Sequence, residues 1–409
     1  MTVPQSSRPK RIAFVINSLG PGGAERVLDQ VMRMAPPGIW ECHLVLLDRE
    51  TEWRVPPDTV AVHRLDCARG MLASLRQLKA ALSAIKPDIV VSFLVRANVA
   101  TVIAARALRI PCIISERSQL STHLENEHHG FRRIAATAAP RLAYPLADRV
   151  IAVSNGVRTD LVSKFGVKRD RVQTIYNPYD LDRIRRDALA APEFALPDRF
   201  LVSAGRLVKR KGFDDLLDAY AKADSQFPLC ILGEGAERDR LAARITTMGL
   251  EGRVRLLGYA RNPFAILARA EMFVSPSHCE GFPNAIAEAM VLGVPVVSTD
   301  CPSGPAELLD EVETIGFDGV YRGKYGMLTP VERPDLLARG IAQMTDPTTR
   351  LHYSEAARRR MNDFRIENIA AEFWSVFDNV LAQDVVRVRG SKLPAPPEHV
   401  VSGAAADRG

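Results

Sequence analysis

Met272-Phe273-Val274-Ser275-Pro276-Ser277-His278-Cys279-Glu280-Gly281-Phe282-Pro283-Asn284-Ala285-Ile286-Ala287-Glu288-Ala289-Met290 is the stretch on which the reading of this chain turns. Residues 272–275 are a short apolar run of strand type. A polar loop follows, and Pro283 suits the first turn of a helix that Gly293 and Pro295 bring to an end. The spacing predicts Glu280 in the loop and Glu288 on the helix, about two turns from its mouth. Both carboxylates would then reach a ligand spread over the loop. The free backbone amides of Phe282, Pro283's successor Asn284, and Ala285 would suit a phosphate. A structural pair of surface carboxylates is the plain alternative.

Outward from this stretch, the same alternation recurs. In the second half, residues 200–204, 229–233, 254–257 and 294–298 read as further strands, with a helix over 213–223. In the first half, residues 12–16, 42–47, 89–93, 112–115 and 149–153 are strand candidates, with helices over 24–34, 71–85 and 97–108. Buried strands alternating with helices predict an α/β fold with parallel sheets covered on both faces. The polar stretch 180–197 separates two such units. We therefore expect a flexible tail over 1–10, a first doubly wound unit over 11–190 and a second over 191–365. An amphipathic helix over 366–383, carrying Phe373, Trp374 and Phe377, would dock back toward the first unit. Residues 384–409, with Pro394, Pro396 and Pro397, read as a disordered tail. Doubly wound units bind ligands at the carboxyl ends of their strands, so the cleft between two of them suits a two-substrate reaction.

Composition agrees with two ordinary cores. The chain has 409 residues, 47% hydrophobic and 25% charged, which excludes a fibrous or wholly disordered protein. The net charge is +6, unevenly spread: residues 1–190 carry 28 Lys and Arg against 18 Asp and Glu, the rest 26 against 30. Six scattered cysteines form no C-x-x-C and no zinc-ligand spacing, so a reduced, cytoplasmic setting is expected. The polar start MTVPQSSRPKR lacks a signal peptide's apolar core. No run approaches the ~18–20 apolar residues of a spanning helix, so any membrane contact would be peripheral.

Two further loops carry chemistry. Gly20-Pro21-Gly22-Gly23-Ala24-Glu25 follows a strand and opens a helix, where glycine allows close approach and the helix start favours an anion. It is not G-x-G-x-x-G, which argues against a dinucleotide oxidoreductase, and a plain tight turn is its alternative. Gly205-Arg206-Leu207-Val208-Lys209-Arg210-Lys211-Gly212 sets four cations in a glycine-bounded loop after a strand. A diphosphate is the partner that would relieve their repulsion; a solvated charge run is the alternative. Nucleic acid is disfavoured, because no aromatics interleave the cations. Ser115-Glu116-Arg117 ends a strand of the first unit and would face the cleft. Asp180-Leu181-Asp182 matches D-x-D, but no apolar strand precedes it, and capping is the expected role. His128-His129 read as an exposed loop rather than metal ligands.

Taken in order, these motifs resemble the family-4 retaining glycosyltransferases of GT-B fold, over about residues 11–380. The resemblance rests on Gly22-Gly23-Ala24-Glu25, Val153-Ser154-Asn155-Gly156, Ile175-Tyr176-Asn177-Pro178, Gly205-Arg206 with Lys211-Gly212, and Leu232-Gly233-Glu234-Gly235. It continues through Glu280-x7-Glu288, Ser298-Thr299-Asp300-Cys301-Pro302-Ser303-Gly304-Pro305 and Gly326-Met327-Leu328. The branch it looks like builds bacterial lipid-linked and surface polysaccharide sugars. The resemblance implies that Arg206 and Lys211 grip the donor diphosphate and neutralise leaving charge, that Glu288 takes ribose hydroxyls, and that Glu280 lies near the donor sugar. Gly281, Phe282, Pro283, Asn284 and Ala285 would line the sugar and phosphate. Gly22 and Gly23 would approach the diphosphate from the other domain, and the base would sit near Tyr259. It implies no metal and no cofactor. Many members carry a His where this chain has Ser115-Glu116-Arg117, so Glu116 or Arg117 would stand on the acceptor or donor-sugar side, and no catalytic base is assigned.

The expected reaction is retaining transfer of a hexose or N-acetylhexosamine from a nucleotide sugar, UDP-linked in preference, to a glycan or prenyl-diphosphate-linked glycan. A GDP-mannose-dependent mannosyltransferase and a GT-B-fold sugar-nucleotide epimerase are the alternatives. Arg132, Arg133 and Arg141, interleaved with Ile134, Ala135, Ala136 and Leu142, suggest a face for an anionic membrane.

Overall fold

The computed structural model describes residues 8–68, 70–127 and 130–390. They hold two seven-stranded sheets. Strands β1 (Lys10–Ile16), β2 (Trp40–Leu46), β3 (Val60–Arg64), β4 (Ile89–Phe93), β5 (Cys112–Glu116), β6 (Arg149–Ala152) and β7 (Val172–Thr174) form the first. Their order is β3-β2-β1-β4-β5-β6-β7, all parallel. Strands β8 (Leu201–Ala204), β9 (Leu229–Leu232), β10 (Val254–Gly258), β11 (Met272–Ser275), β12 (Val296–Thr299), β13 (Tyr321–Arg322) and β14 (Met327–Thr329) form the second. Their order is β10-β9-β8-β11-β12-β14-β13, parallel except for the antiparallel β13–β14 edge.

The central strands are buried on both faces, as parallel strands flanked by helices must be; all five residues of β4 are buried. Strand order reverses between β1 and β4 and again between β8 and β11. The loops leaving those strands turn to opposite faces and open a crevice, where ligands of such sheets sit.

Four strands were not foreseen, the edge strands β3, β7 and β13 and the three-residue β14 beside β13. β3 ends in His63 and Arg64, which breaks its apolar pattern, and β7 and β13 are too short to show a period. Two boundaries also differ. β1 begins at Lys10, inside the segment expected to be a tail, and the C-terminal helix runs Ile366–Gly390, past residue 383. Residues 1–7 and 391–409 lie outside the described residues, as do His128 and His129.

The chain crosses from the first unit to the second and back at one place. Tyr179 and Arg365 pair there as an isolated parallel bridge, with Tyr179 N donating to Phe364 O at 2.9 Å and Ile366 N to Tyr179 O at 3.0 Å. The outgoing strand leads into helix Leu181–Asp187, whose N-cap Asp180 accepts from Arg183 N at 2.9 Å. That helix packs on helices Pro263–Leu267 and Asn284–Val291 of the second unit. Asp182 pairs with Arg185 and Arg365, so the D-x-D match serves as cap and ion pairs. The returning segment, helix Ile366–Gly390, lays Phe373, Trp374 and Phe377 into the core around Phe14 and Trp40. Trp374 meets Phe14 edge-on at 6.1 Å and Trp40 at 5.4 Å, and its Nε1 donates to Val31 O at 3.2 Å.

Candidate active site

The site grows from the loops after β8 and β11. In the β8 loop, Lys209–Lys211 make one tight turn and Gly212 follows at φ +64°. A Cβ on Gly212 would lie 2.0 Å from Pro276 O, so only glycine lets the basic loop lie against the β11 loop. Two contacts bind the loops together. His278 N donates to Arg210 O at 2.9 Å, and His278 Nε2 lies 2.7 Å from Asp215 Oδ2. That hydrogen bond raises the imidazole's pKa above its usual value. Lys211 is ion-paired to Glu280. Arg206 is exposed at the mouth and lies within electrostatic reach of Glu25 of the first unit.

In the β11 loop, Ser303 Oγ lies 3.0 Å and 2.9 Å from the carbonyls of Glu280 and Gly281 and fixes that turn. The helix itself runs Asn284–Val291 with Pro283 as its N-cap. Pro283 therefore precedes the helix instead of occupying its first turn, and Glu288 stands about one turn from the mouth, not two. The eight positions from Glu280 to Glu288 would make two turns only if all were helical, and residues 281–283 belong to the loop. Phe282 buries its ring against Tyr176 and Phe364, at 5.3 Å and 5.7 Å, which leaves its backbone for a ligand. Asn284 Oδ1 accepts from Asn177 Nδ2 at 2.8 Å and Tyr179 OH at 2.7 Å. Ala285 is half-buried beside it.

The first unit closes against these loops. Gly22 is the N-cap of helix Gly23–Arg33, with the Glu25 carboxylate folded back over it. Gly23 faces Asn284 so closely that a Cβ would meet its amide at 2.6 Å. Burial raises the pKa of Glu25, against the charges of Arg54 and Arg206. Arg26, one turn along, is ion-paired to Glu288. A Cβ on Gly281 would lie 2.2 Å from Arg117 O. At the far end, Tyr259 meets Trp53 edge-on at 5.9 Å, both more than half exposed. Beside Trp53 an open pocket of about 750 Å³ is lined by Gly20, Pro21, Arg49, Glu50 and Thr51.

Glu116 does not face the cleft as expected. It is buried, accepting from Tyr144 OH at 2.8 Å, Ser118 Oγ at 2.9 Å and the amides of Arg117 and Ser118. Burial raises its pKa. Its place at the end of β5 lets it turn back and cap its own loop. Arg117 does lie at the junction, bonded to Asn177 Oδ1, and burial lowers its pKa to about 9.

Sequence reasoning missed Arg26, Asn177, Tyr179 and Glu307. Glu307 reaches from the second unit to the start of helix Asn155–Phe165, accepting from Asn155 N at 2.7 Å, Gly156 N at 3.0 Å and Tyr176 OH at 3.0 Å. The signal lay in two quoted motifs, Ser154-Asn155-Gly156 and Ser303-Gly304-Pro305, whose junction needed three dimensions. Among the described residues, no group of three or more His, Cys, Asp or Glu is placed to hold a metal.

Two facing doubly wound units, with a cation–carboxylate cluster at the switch point of the second, define the GT-B class of glycosyltransferases. The group 1 glycosyl transferase model matches residues 185–360 and the glycosyltransferase family 4 model residues 21–183. The N-acetylgalactosamine-N,N'-diacetylbacillosaminyl-diphospho-undecaprenol 4-alpha-N-acetylgalactosaminyltransferase of Campylobacter jejuni is 31% identical over 376 residues, 89% of this chain and 98% of that protein. A second such transferase from that organism, an alpha-1,4-N-acetyl-D-galactosaminyltransferase, is 26% identical over 90% of this chain and 99% of its own length. Among solved structures, HepE of Anabaena in complex with UDP superposes with TM-score 0.69 at 23% identity, over 90% of this chain and all of its own. The chain belongs to the family-4 glycosyltransferases, and it is a glycosyltransferase of GT-B fold.

Proposed function

We propose that this enzyme moves a hexose or N-acetylhexosamine from a UDP-sugar to a glycan carried on prenyl diphosphate, with retention and without a metal. The observation that carries the reading is the Lys211–Glu280 ion pair, which joins the loops leaving β8 and β11 where the strand order reverses, with Arg206 on the first of those loops and Glu288 on the helix that follows the second. Lys211 and Arg206 would meet the diphosphate and stabilise charge as it leaves, which acts on rate because that charge grows in the transition state. Glu280 would turn from Lys211 to the donor sugar, with the backbone of Gly281, Phe282, Pro283, Asn284 and Ala285 lining sugar and phosphate. Glu288 would take the ribose, and the base would lie against Gly258 and Tyr259. Gly22 and Gly23 would bring the first unit onto the diphosphate. The UDP preference is supported by the HepE complex, and the acceptor class by the names of the Campylobacter relatives.

Contact with an anionic membrane belongs to the same reading. Leu142, in the last turn of helix Gly130–Ala143, and Leu146, in the short turn that follows, stand 75% and 44% exposed. Arg141 packs over the Phe165 ring and donates to Lys164 O; the side chains of Arg132 and Arg133 lie outside the described residues. No helix among the described residues is long and apolar enough to cross a membrane.

The test is a thermal-shift panel of UDP, GDP, ADP and their common sugars, with EDTA throughout. A ligand at about 100 times its Kd stabilises by about 2.7 kcal/mol. A shift confined to uridine compounds, followed by EDTA-resistant transfer to a prenyl-diphosphate-linked sugar, is expected. A shift confined to GDP compounds would replace the donor, and a loss of transfer in EDTA would overturn metal independence.

A further inference from the structure

Arg26 belongs to the first unit, yet its guanidinium is bonded to Glu288 of the second. The pair spans the cleft. The centre of the Tyr179 ring lies 5.9 Å from the Arg26 guanidinium carbon, and Tyr179 OH is itself fixed by Asn284 at the mouth of the Glu288 helix. Glu288 is only 8% exposed. A carboxylate so buried depends on its partners for its orientation, and the partner here is the Arg26 guanidinium. Arg26 engages Oε1, and a carboxylate has a second oxygen with lone pairs to offer.

From this geometry we infer that Arg26 is a positioning residue for donor recognition. It orients Glu288, through one oxygen, so that the other accepts the ribose hydroxyls. The inference rests on the reading of Glu288 given above. Its content is that ribose recognition is completed across the cleft: a second-unit carboxylate reads the sugar of the nucleotide only while a first-unit guanidinium holds it. An arginine is suited to this, because its planar fork fixes a carboxylate's plane where a lysine fixes only its charge.

The experiment measures Kd for UDP and for 2′-deoxy-UDP and 3′-deoxy-UDP on the full chain, by calorimetry. Wild type, Glu288→Gln, Arg26→Ala and Arg26→Lys are compared. A hydrogen bond to a charged acceptor discriminates by roughly 10- to 100-fold, so wild type is expected to prefer UDP over at least one deoxy analogue by about that ratio. Glu288→Gln brings the ratio within threefold of one. Arg26→Ala lowers it at least fivefold, and Arg26→Lys recovers part of it. If Glu288→Gln collapses the ratio while Arg26→Ala keeps it whole, Arg26 is not a positioning residue. If Glu288→Gln keeps the full ratio, or wild type binds UDP without discrimination or not at all, the donor reading falls and takes the inference with it. A general loosening of the fold would weaken all three ligands alike and leave the ratio unchanged, which counts against the inference.

Discussion

Lys211 and Glu280 satisfy each other in this structure, so on the proposed reading each would change partner when a diphosphate sugar binds. On that reading, removing the ammonium would take away charge that counts most as the leaving group departs. Lys211→Ala is expected to lower turnover by roughly 10²-fold or more while far-UV circular dichroism stays that of wild type. Turnover within tenfold of wild type would show that the diphosphate lies elsewhere. His278 gives a prediction in pH. Its hydrogen bond to Asp215, aided by the charges of Asp215, Glu332 and Asp214, raises the imidazole's pKa in the folded protein. The pair therefore adds stability in full below the ordinary His range near 6.5. That stability fades as pH rises through the raised value. The gap in Tm between wild type and Asp215→Asn should be widest near pH 5.5 and narrow steadily toward pH 9; a gap that stays constant would show that the pair does not titrate.

At the scale of elements, the cleft depends on how near two loops can come. A methyl group on Gly281 would press on Arg117 O from across the junction, and a carbonyl on a strand end has little room to retreat. Gly281→Ala is expected to cost about 1–3 kcal/mol and to raise KM for the donor. Small-angle scattering should show a larger radius of gyration than wild type; an unchanged radius with unchanged KM would mean that the loops yield. This same level shows what the sequence made legible. Central strands such as β4 and β11 were readable to the residue, because burial on both faces leaves an unbroken apolar run. Helix 213–223 was readable too, between a glycine and a polar turn. Of the edge strands, β10 was readable and β3, β7 and β13 were not: β3 carries polar residues on its open side, while β7 and β13, like β14 beside it, are too short to show a period. The two loops of the second unit that carry the candidate residues were readable as loops, because glycine, proline and charge crowd into them. Arg26, Asn177, Tyr179 and Glu307 were not, because each matters through a partner over a hundred positions away. Glu116 was misplaced for a related reason: the end of a strand fixes where a residue is, and not which way it turns.

For the molecule as a whole, two crossings at Tyr179 and Arg365 carry the chain out and back. The returning helix supplies Trp374 to the first core, where it is 4% exposed among Phe14, Trp40 and Phe377. Trp374→Ala is expected to cost about 3–5 kcal/mol, read as a lower denaturation midpoint for the first unit. Nucleotide binding, if it rests on the second unit, should survive below that midpoint. A loss under 1 kcal/mol would mean that the helix lies on a surface already complete. The same crossing sets an order in time. Chains emerge from the ribosome amino end first, and the whole second unit is made between Phe14 and the tryptophan that covers it. During synthesis the first sheet must wait with one face only partly covered, by helix Gly23–Arg33, in reach of chaperones, while its neighbour is translated and can already fold.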